Sequence, residues 1–259
     1  MSAATALVTG STSGIGLAVA KALARMNLNV MLNGFGTQAE IDAATSSVAA
    51  ITSGHVSYTP ADLTKAQEVE GLIRATHSRW GRLDVLVNNA GIQHVSPVDE
   101  FPDDKWNQIM ALNLSAVFHG TKHALPIMKR QNFGRIINVA SVHGHVASAN
   151  KAPYVAAKHG VIGFTKAVAL EVATYNITVN AVCPGWVLTP LVEKQIRARM
   201  EQHNVDYDTA TTQLVGEKMP SKKCADVEEI GMAVAYLATP ATKSTTGTSM
   251  IIDGGWTAQ

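Results

Sequence analysis

Short apolar runs alternate along this chain with longer segments of helical character, and that alternation limits the fold more than any other feature. The runs are Thr5–Val8, Val30–Leu32, Val56–Tyr58, Val85–Val87, Ile136–Val139, Thr178–Val182 and Met250–Ile252. Several are apolar throughout, as expected of strands in a parallel sheet covered on both faces. Between them Ile15–Arg25, Ala66–Trp80, Trp106–Lys129, Tyr154–Glu171 and Val227–Leu237 read as helices. This order predicts an α/β fold: a doubly wound parallel sheet with helices on both faces and right-handed crossovers. Residues 191–224 break the rhythm, being polar, helical in propensity and without a strand. They read as an insertion over the sheet edge, a helical lid within one domain spanning 1–259.

Composition narrows the class. The chain has 259 residues, 46% of them hydrophobic, enough for a sizeable core. Net charge is +1 and no basic stretch is long, which argues against a nucleic-acid partner. No apolar run approaches membrane-spanning length. The start Met1-Ser2-Ala3-Ala4-Thr5 lacks a basic leader region. Two cysteines, Cys183 and Cys224, read as reduced thiols, with Cys183 packed as a small apolar group. These features suit a soluble cytoplasmic protein. His119 and His123 have helical metal-ligand spacing, but no acidic residue accompanies them in a zinc-type pattern, so no metal site is expected.

Unusual residues gather just after the strands: Gly10, Asn33-Gly34, Asp62, Asn88-Asn89-Ala90-Gly91, Ser141 and Pro184-Gly185. In an open parallel sheet these positions share the carboxyl edge, where ligands bind. The run Thr9-Gly10-Ser11-Thr12-Ser13-Gly14-Ile15-Gly16 follows the first strand and opens the first helix. Glycines there let the backbone approach a pyrophosphate, which the helix N-terminus holds. Tyr154 and Lys158 are four residues apart, on one face of a helix. An ammonium beside a phenol favours the phenolate, which suits proton exchange with a substrate hydroxyl. Ser141 precedes Tyr154 by thirteen residues.

Taken in order, Thr9–Gly16, Asp62-Leu63, Asn88–Gly91, Asn113, Ser141, Tyr154-x-x-x-Lys158 and Pro184-Gly185 resemble the short-chain dehydrogenase/reductase family over essentially the whole chain. The resemblance implies a Rossmann-like fold, a nicotinamide cofactor, and hydride transfer between an alcohol and a ketone. It implies that Tyr154 is the general acid/base and that Ser141 hydrogen-bonds the substrate oxygen. Lys158 then binds the nicotinamide ribose and lowers the tyrosine pKa, and Asn113 holds a water in a proton relay. Cofactor contacts fall to Gly10, Thr12, Ser13, Gly14, Ile15 and Gly16, to Phe35, to Asp62 and Leu63 at the adenine, and to Asn89, Ala90 and Gly91 near the ribose. Tyr154, Lys158, Pro184, Gly185, Val187 and Thr189 complete that set, with Thr189 at the carboxamide. A homotetramer is also implied, with the long helices packed across one interface.

Cofactor choice depends on Asn33-Gly34-Phe35-Gly36 after the second strand. An acid there binds a ribose 2′-hydroxyl and an arginine a 2′-phosphate. Neither is present, and no lysine or arginine lies in Ser11–Ser13 or Asn33–Gln38, so NAD is expected. The residues flanking the catalytic set, together with the C-terminal Asp253–Gln259, are similar to family members acting on short 3-hydroxy acids. That similarity implies that Gln93, His143, Lys151 and Gln195 bind a substrate carboxylate beside Ser141 and Tyr154. Trp186 and Trp256 then border the methyl end. A small hydroxy acid needs a cation and donors for its carboxylate, plus an apolar wall against larger groups. A 3-oxoacyl thioester reductase and a polyol dehydrogenase remain alternatives. A non-enzymatic dinucleotide-binding regulator has no need of Tyr154, Lys158 and Ser141 together.

Overall fold

The computed structural model describes residues 3–259, Leu191 by its backbone alone. Met1 and Ser2, read above for a leader, lie outside the described residues.

Seven strands form one parallel sheet: β1 (Thr5–Val8), β2 (Asn29–Leu32), β3 (Val56–Tyr58), β4 (Val85–Asn88), β5 (Gly134–Val139), β6 (Ile177–Pro184) and β7 (Ser249–Ile252). Their order is β3-β2-β1-β4-β5-β6-β7. The chain therefore reverses its winding between β1 and β4, the place where such sheets open a crevice. Register is regular, with Ala6 opposite Val30 on one side and Val85 on the other.

Alternation along each strand builds two cores. Ala6, Val8, Val30, Leu32, Val85 and Val87 point to one face with Val19 and Leu23 of α1 (Gly14–Arg25). Leu7, Met31 and Leu86 point to the other, with Leu72 of α3 (Ala66–Trp80) and Met128 of α5 (Ala116–Gln131). α2 (Gln38–Ala49) adds Val48 to the first core, and α6 (Ala152–Glu171) adds Val168 to the second. Truncating one such buried leucine costs about 2–5 kcal/mol.

The expected helix over Trp106–Lys129 is interrupted. α4 (Asp103–Met110) passes through a π-helical turn, Ala111–Ser115, before α5 begins. Asn113 is the buried residue of that turn. Its amide accepts the Ile92 N–H at 2.9 Å and donates to the Ile92 carbonyl at 2.8 Å. Such a clamp to a neighbouring loop, invisible to periodicity, accompanies the widened turn.

Residues 191–224 hold no strand and most of two helices: α7 (Pro190–His203) and α8 (Tyr207–Val215) precede α9 (Val227–Ala238). α7 and α8 share a small core of their own, Val192, Ile196 and Ala210, against which Trp186 and Leu214 pack. Both cysteines are free, and Cys183 is buried. Among the described residues no helix is long and apolar enough to cross a membrane.

Candidate active site

The carboxyl edge collects the motifs. Gly10 adopts φ +61°, and a side chain there would meet the Ala90 backbone at 2.9 Å. A Cβ at Gly16 would collide with the Gly10 carbonyl and the Asn89 amide. The loop is therefore a tight turn at the start of α1, with backbone exposed where bulk is forbidden, and it fits a pyrophosphate. The Thr9 hydroxyl accepts the N–H groups of Asn89 and Ala90 at 2.9 and 3.1 Å. The Asn89 amide donates to the Thr9 and Gly10 carbonyls at 2.8 and 3.1 Å. Asn89 thus braces the glycine turn with the very side chain assigned above to the ribose.

At the far side of the crevice Thr189 caps α7, its hydroxyl accepting the Val192 N–H at 3.4 Å. Its methyl lies 3.7 Å from where a Gly14 side chain would start. Pro184 ends β6 and Gly185 donates its N–H to Ile252. Val187 is buried, in a bridge to Ala225. The Thr12 hydroxyl donates to the Phe35 carbonyl at 2.8 Å, and Phe35 itself is 74% exposed. Ser13 is exposed ahead of half-buried Ile15. Asp62 accepts from the Thr64 N–H and hydroxyl, which holds its carboxyl below the usual range. Leu63 is buried beside it.

The reacting groups meet at the end of β5 and the start of α6. Ser141 and Lys158 are buried, and Tyr154 is partly so. Lys158 donates from Nζ to the Val139 carbonyl at 2.8 Å. Its ammonium lies 5.6 Å from the centre of the Tyr154 ring. Gly91 stands between Asn113 and Lys158: a Cβ there would be 3.4 Å from Asn113 Oδ1 and 3.8 Å from Lys158 Nζ. Burial pushes Lys158 down to about 8. Burial also pushes the Tyr154 phenol up, against the opposing effect of its hydrogen bond to Ser141. In the protein by itself desolvation of the phenolate sets the direction, opposite to the lowering that the resemblance implies, and one of the three lysine N–H groups is given to Val139.

A network that sequence reasoning missed sets α6 against the sheet. Asn88 donates to Asn138 at 2.9 Å, Asn138 to Thr165 at 2.9 Å, and Thr165 to the Val161 carbonyl at 2.7 Å. Asn138 lies within an apolar strand, and a buried amide there needs partners. That amide and Asn88, singled out above, were the signals, and neither names its partner.

Beside the reacting groups is a cavity of about 500 Å³, whose lining includes Lys151, Trp186, Gln195 and Trp256. Lys151 precedes α6, and its ammonium lies 5.9 Å from the centre of the Trp186 ring. Burial lowers its pKa from the ordinary lysine value. The Asp253 carboxylate accepts the Gly255 and Thr257 N–H groups at 3.0 and 2.8 Å, a turn that carries Trp256. Gln93 is exposed on the loop after β4, outside that lining. The Ser96 N–H donates to the Asn150 carbonyl at 3.0 Å, which ties this loop to the residue before Lys151. His143 is buried, edge-on to Trp256 with ring centres 5.3 Å apart and to Tyr154 at 5.8 Å. The lining adds Ser148, Ala198, Arg199, Gln202, Leu214, Glu217 and Lys218, which sequence reasoning did not single out.

Known proteins resemble this chain over nearly its whole length. The profile described as short chain dehydrogenase matches residues 4–200. A D-beta-hydroxybutyrate dehydrogenase of Cupriavidus necator is 51% identical over 256 residues, covering 98% of both chains. Another protein of that name from Rhizobium meliloti is 48% identical over 255 residues, 98% of this chain and 99% of the other. Among solved structures, a variant of actinorhodin polyketide ketoreductase with NADPH superimposes with a TM-score of 0.90 at 35% identity, covering 98% of this chain and 97% of that one. The chain belongs to the short chain dehydrogenase family.

Proposed function

We propose that this protein interconverts D-3-hydroxybutyrate and acetoacetate with NAD. The observation that carries the reading is the placement of Lys151: a half-buried ammonium facing an indole, in a cavity that also receives Gln195 and Trp256, three residues before Tyr154. A cation and amide beside an apolar wall suit a short carboxylate and offer less to a thioester or polyol. The names of the two relatives agree with it.

A bound nicotinamide would supply the hydride acceptor. Tyr154 takes the proton of the substrate hydroxyl, and Ser141 hydrogen-bonds the same oxygen as charge develops on it. Lys158 binds the ribose hydroxyls, and its charge then assists the phenolate. The Asn113 side chain is occupied by Ile92, so a relay water falls to its main-chain carbonyl within the π-helical turn. Lys151, Gln195, Gln93 and His143 hold the carboxylate, while Trp186 and Trp256 bound the methyl group. The α7–α8 unit, which has its own core, closes over the pocket as a body and excludes water.

NAD is favoured over NADP by an anion in the first turn of α2, beyond the loop that follows β2. The Glu40 carboxylate, kept charged by the Thr37 N–H and hydroxyl, lies 3.2 Å from where a Gly36 side chain would start. It repels a 2′-phosphate, and no cation in Asn33–Gln38 offsets it. A homotetramer is supported by apolar side chains left in the open on two faces: Phe118 and Leu170, and Met232, Tyr236 and Ile251.

The test is a panel of both 3-hydroxybutyrate enantiomers, longer hydroxy acids and neutral alcohols, each with NAD and NADP. Reduced-nicotinamide absorbance should rise fastest with the D-acid and NAD. Equal rates for neutral alcohols would overturn the substrate assignment.

A further inference from the structure

The cavity beside the reacting groups continues outward past the residues assigned to the substrate. Gln195, Ala198, Arg199 and Gln202 of α7 line it, a spacing that puts all four on one face of the helix. The helix starts at Thr189, on the cofactor side, so Arg199 stands one turn, about 6 Å, farther out than Gln195. Glu217, just beyond α8, meets Arg199 there at 3.8 Å, and Lys218 follows it in the lining. The Lys218 backbone is fixed on both sides: its N–H donates to the Val215 carbonyl at 3.2 Å, and its carbonyl accepts from the Gln259 amide at 3.3 Å.

Three cations, Lys151, Arg199 and Lys218, thus line the cavity with one anion, Glu217, in a chain whose net charge is +1. The Arg199–Glu217 separation of 3.8 Å is longer than the about 2.7–2.9 Å of a charge-assisted hydrogen bond, so the guanidinium keeps donors to spare. The Lys218 ammonium forms no ion pair among the described residues. At about 500 Å³ the cavity has the size of sites for drug-sized ligands, and a four-carbon acid held at Lys151 leaves its outer part to solvent. A concave site lined mainly by one sign of charge concentrates the opposite ion.

We propose that Arg199 and Lys218 form an outer anion-binding subsite, which collects a small carboxylate at the mouth of the cavity and passes it inward to Lys151 and Gln195. The subsite itself requires only a small anion; that the anion is a hydroxy acid rests on the reading above. Glu217 opposes the two cations and keeps them from retaining the acid.

Iodide quenching of tryptophan fluorescence in protein free of nucleotide tests the subsite without turnover, because Trp186 and Trp256 line the cavity. Arg199→Gln combined with Lys218→Gln should lower the iodide quenching constant and leave quenching by neutral acrylamide unchanged. Glu217→Gln should raise the iodide constant. The double variant should raise KM for hydroxybutyrate roughly three- to tenfold with kcat kept, because partly solvated charges act through local concentration. Added salt should bring the wild-type KM toward that of the variant. The methyl ester, which carries no charge, should respond to neither the substitutions nor the salt. Iodide quenching of wild-type strength in the double variant would overturn the subsite, as would an unchanged KM for an acid that the enzyme oxidises. If the double variant loses iodide quenching while the protein oxidises only neutral alcohols, the subsite stands and the hydroxy-acid reading fails.

Discussion

The ammonium of Lys158 lies 5.6 Å from the centre of the Tyr154 ring, yet its hydrogen bond goes to the Val139 carbonyl. The two residues share a helix face, as their spacing requires, but the phenol is governed by burial and sits above its ordinary value of 10.0. In protein free of nucleotide, the difference absorbance between wild type and Tyr154→Phe should therefore show no phenolate at neutral pH. A phenolate band at pH 8 would refute this. Single-turnover oxidation should speed up with rising pH and reduction slow down, because one needs the base and the other the acid. Tyr154→Phe should cost about 10²–10⁴ in turnover with NADH affinity kept, whereas Lys158→Ala should lose both.

Lys151 and Gln195 line one cavity from different elements. Losing a charged hydrogen bond costs roughly 1.5–3 kcal/mol, or tens- to over a hundredfold in kcat/KM. Lys151→Ala should suffer such a loss with hydroxybutyrate, and Gln195→Ala a smaller one. NADH titration of either variant should match wild type. The methyl ester should be a poor substrate and nearly insensitive to both changes; an intact kcat/KM in Lys151→Ala would remove the carboxylate role.

Phe35 is exposed at the end of β2, opposite a loop without cations. Phe35→Arg should narrow the preference for NAD by adding a charge-assisted contact to a 2′-phosphate. Steady-state kcat/KM for both nucleotides measures it, and a wild type that prefers NADP would reverse the assignment.

His143 links the site to acid stability. Its pKa drops from 6.5 to about 4 on folding, so below pH 6.5 the unfolded chain takes up a proton that the folded one refuses. The contribution is whole above pH 6.5 and is lost as pH falls toward 4, by up to about 3 kcal/mol. Denaturant titrations at pH 7 and pH 4.5 should show a smaller decline in His143→Asn than in wild type. Equal declines would mean that the imidazole charges freely in the fold.

Leu170 is 80% exposed on α6, and the proposed homotetramer would bury it between subunits. Leu170→Glu should lower the mass seen by sedimentation while leaving the far-ultraviolet circular dichroism unchanged. A wild-type monomer would end the tetramer proposal.

Much of this molecule was legible along the chain, because parallel strands and their helices are specified by local patterns. The runs Thr5–Val8 and Val56–Tyr58 and the helix Ala66–Trp80 fall where the sequence puts them. A strand buried on both faces is apolar at every position, and a covered helix is apolar on one stripe. The crowding of Gly10, Asn89, Ser141, Tyr154 and Pro184 at one edge was also legible, since each follows a strand or opens the next helix. Tertiary structure alone decided how they engage. Asn89 turned inward to hold the glycine loop, Asn113 closed on Ile92 across a π-turn, and His143 found Ser148. Lys158 gave its hydrogen bond to Val139. Each outcome depends on partners that the fold brings together, several of them far apart in sequence, and on desolvation that only packing imposes. Residue type sets what a side chain can donate or accept, but spacing carries no information about which buried group will be nearest when water has left.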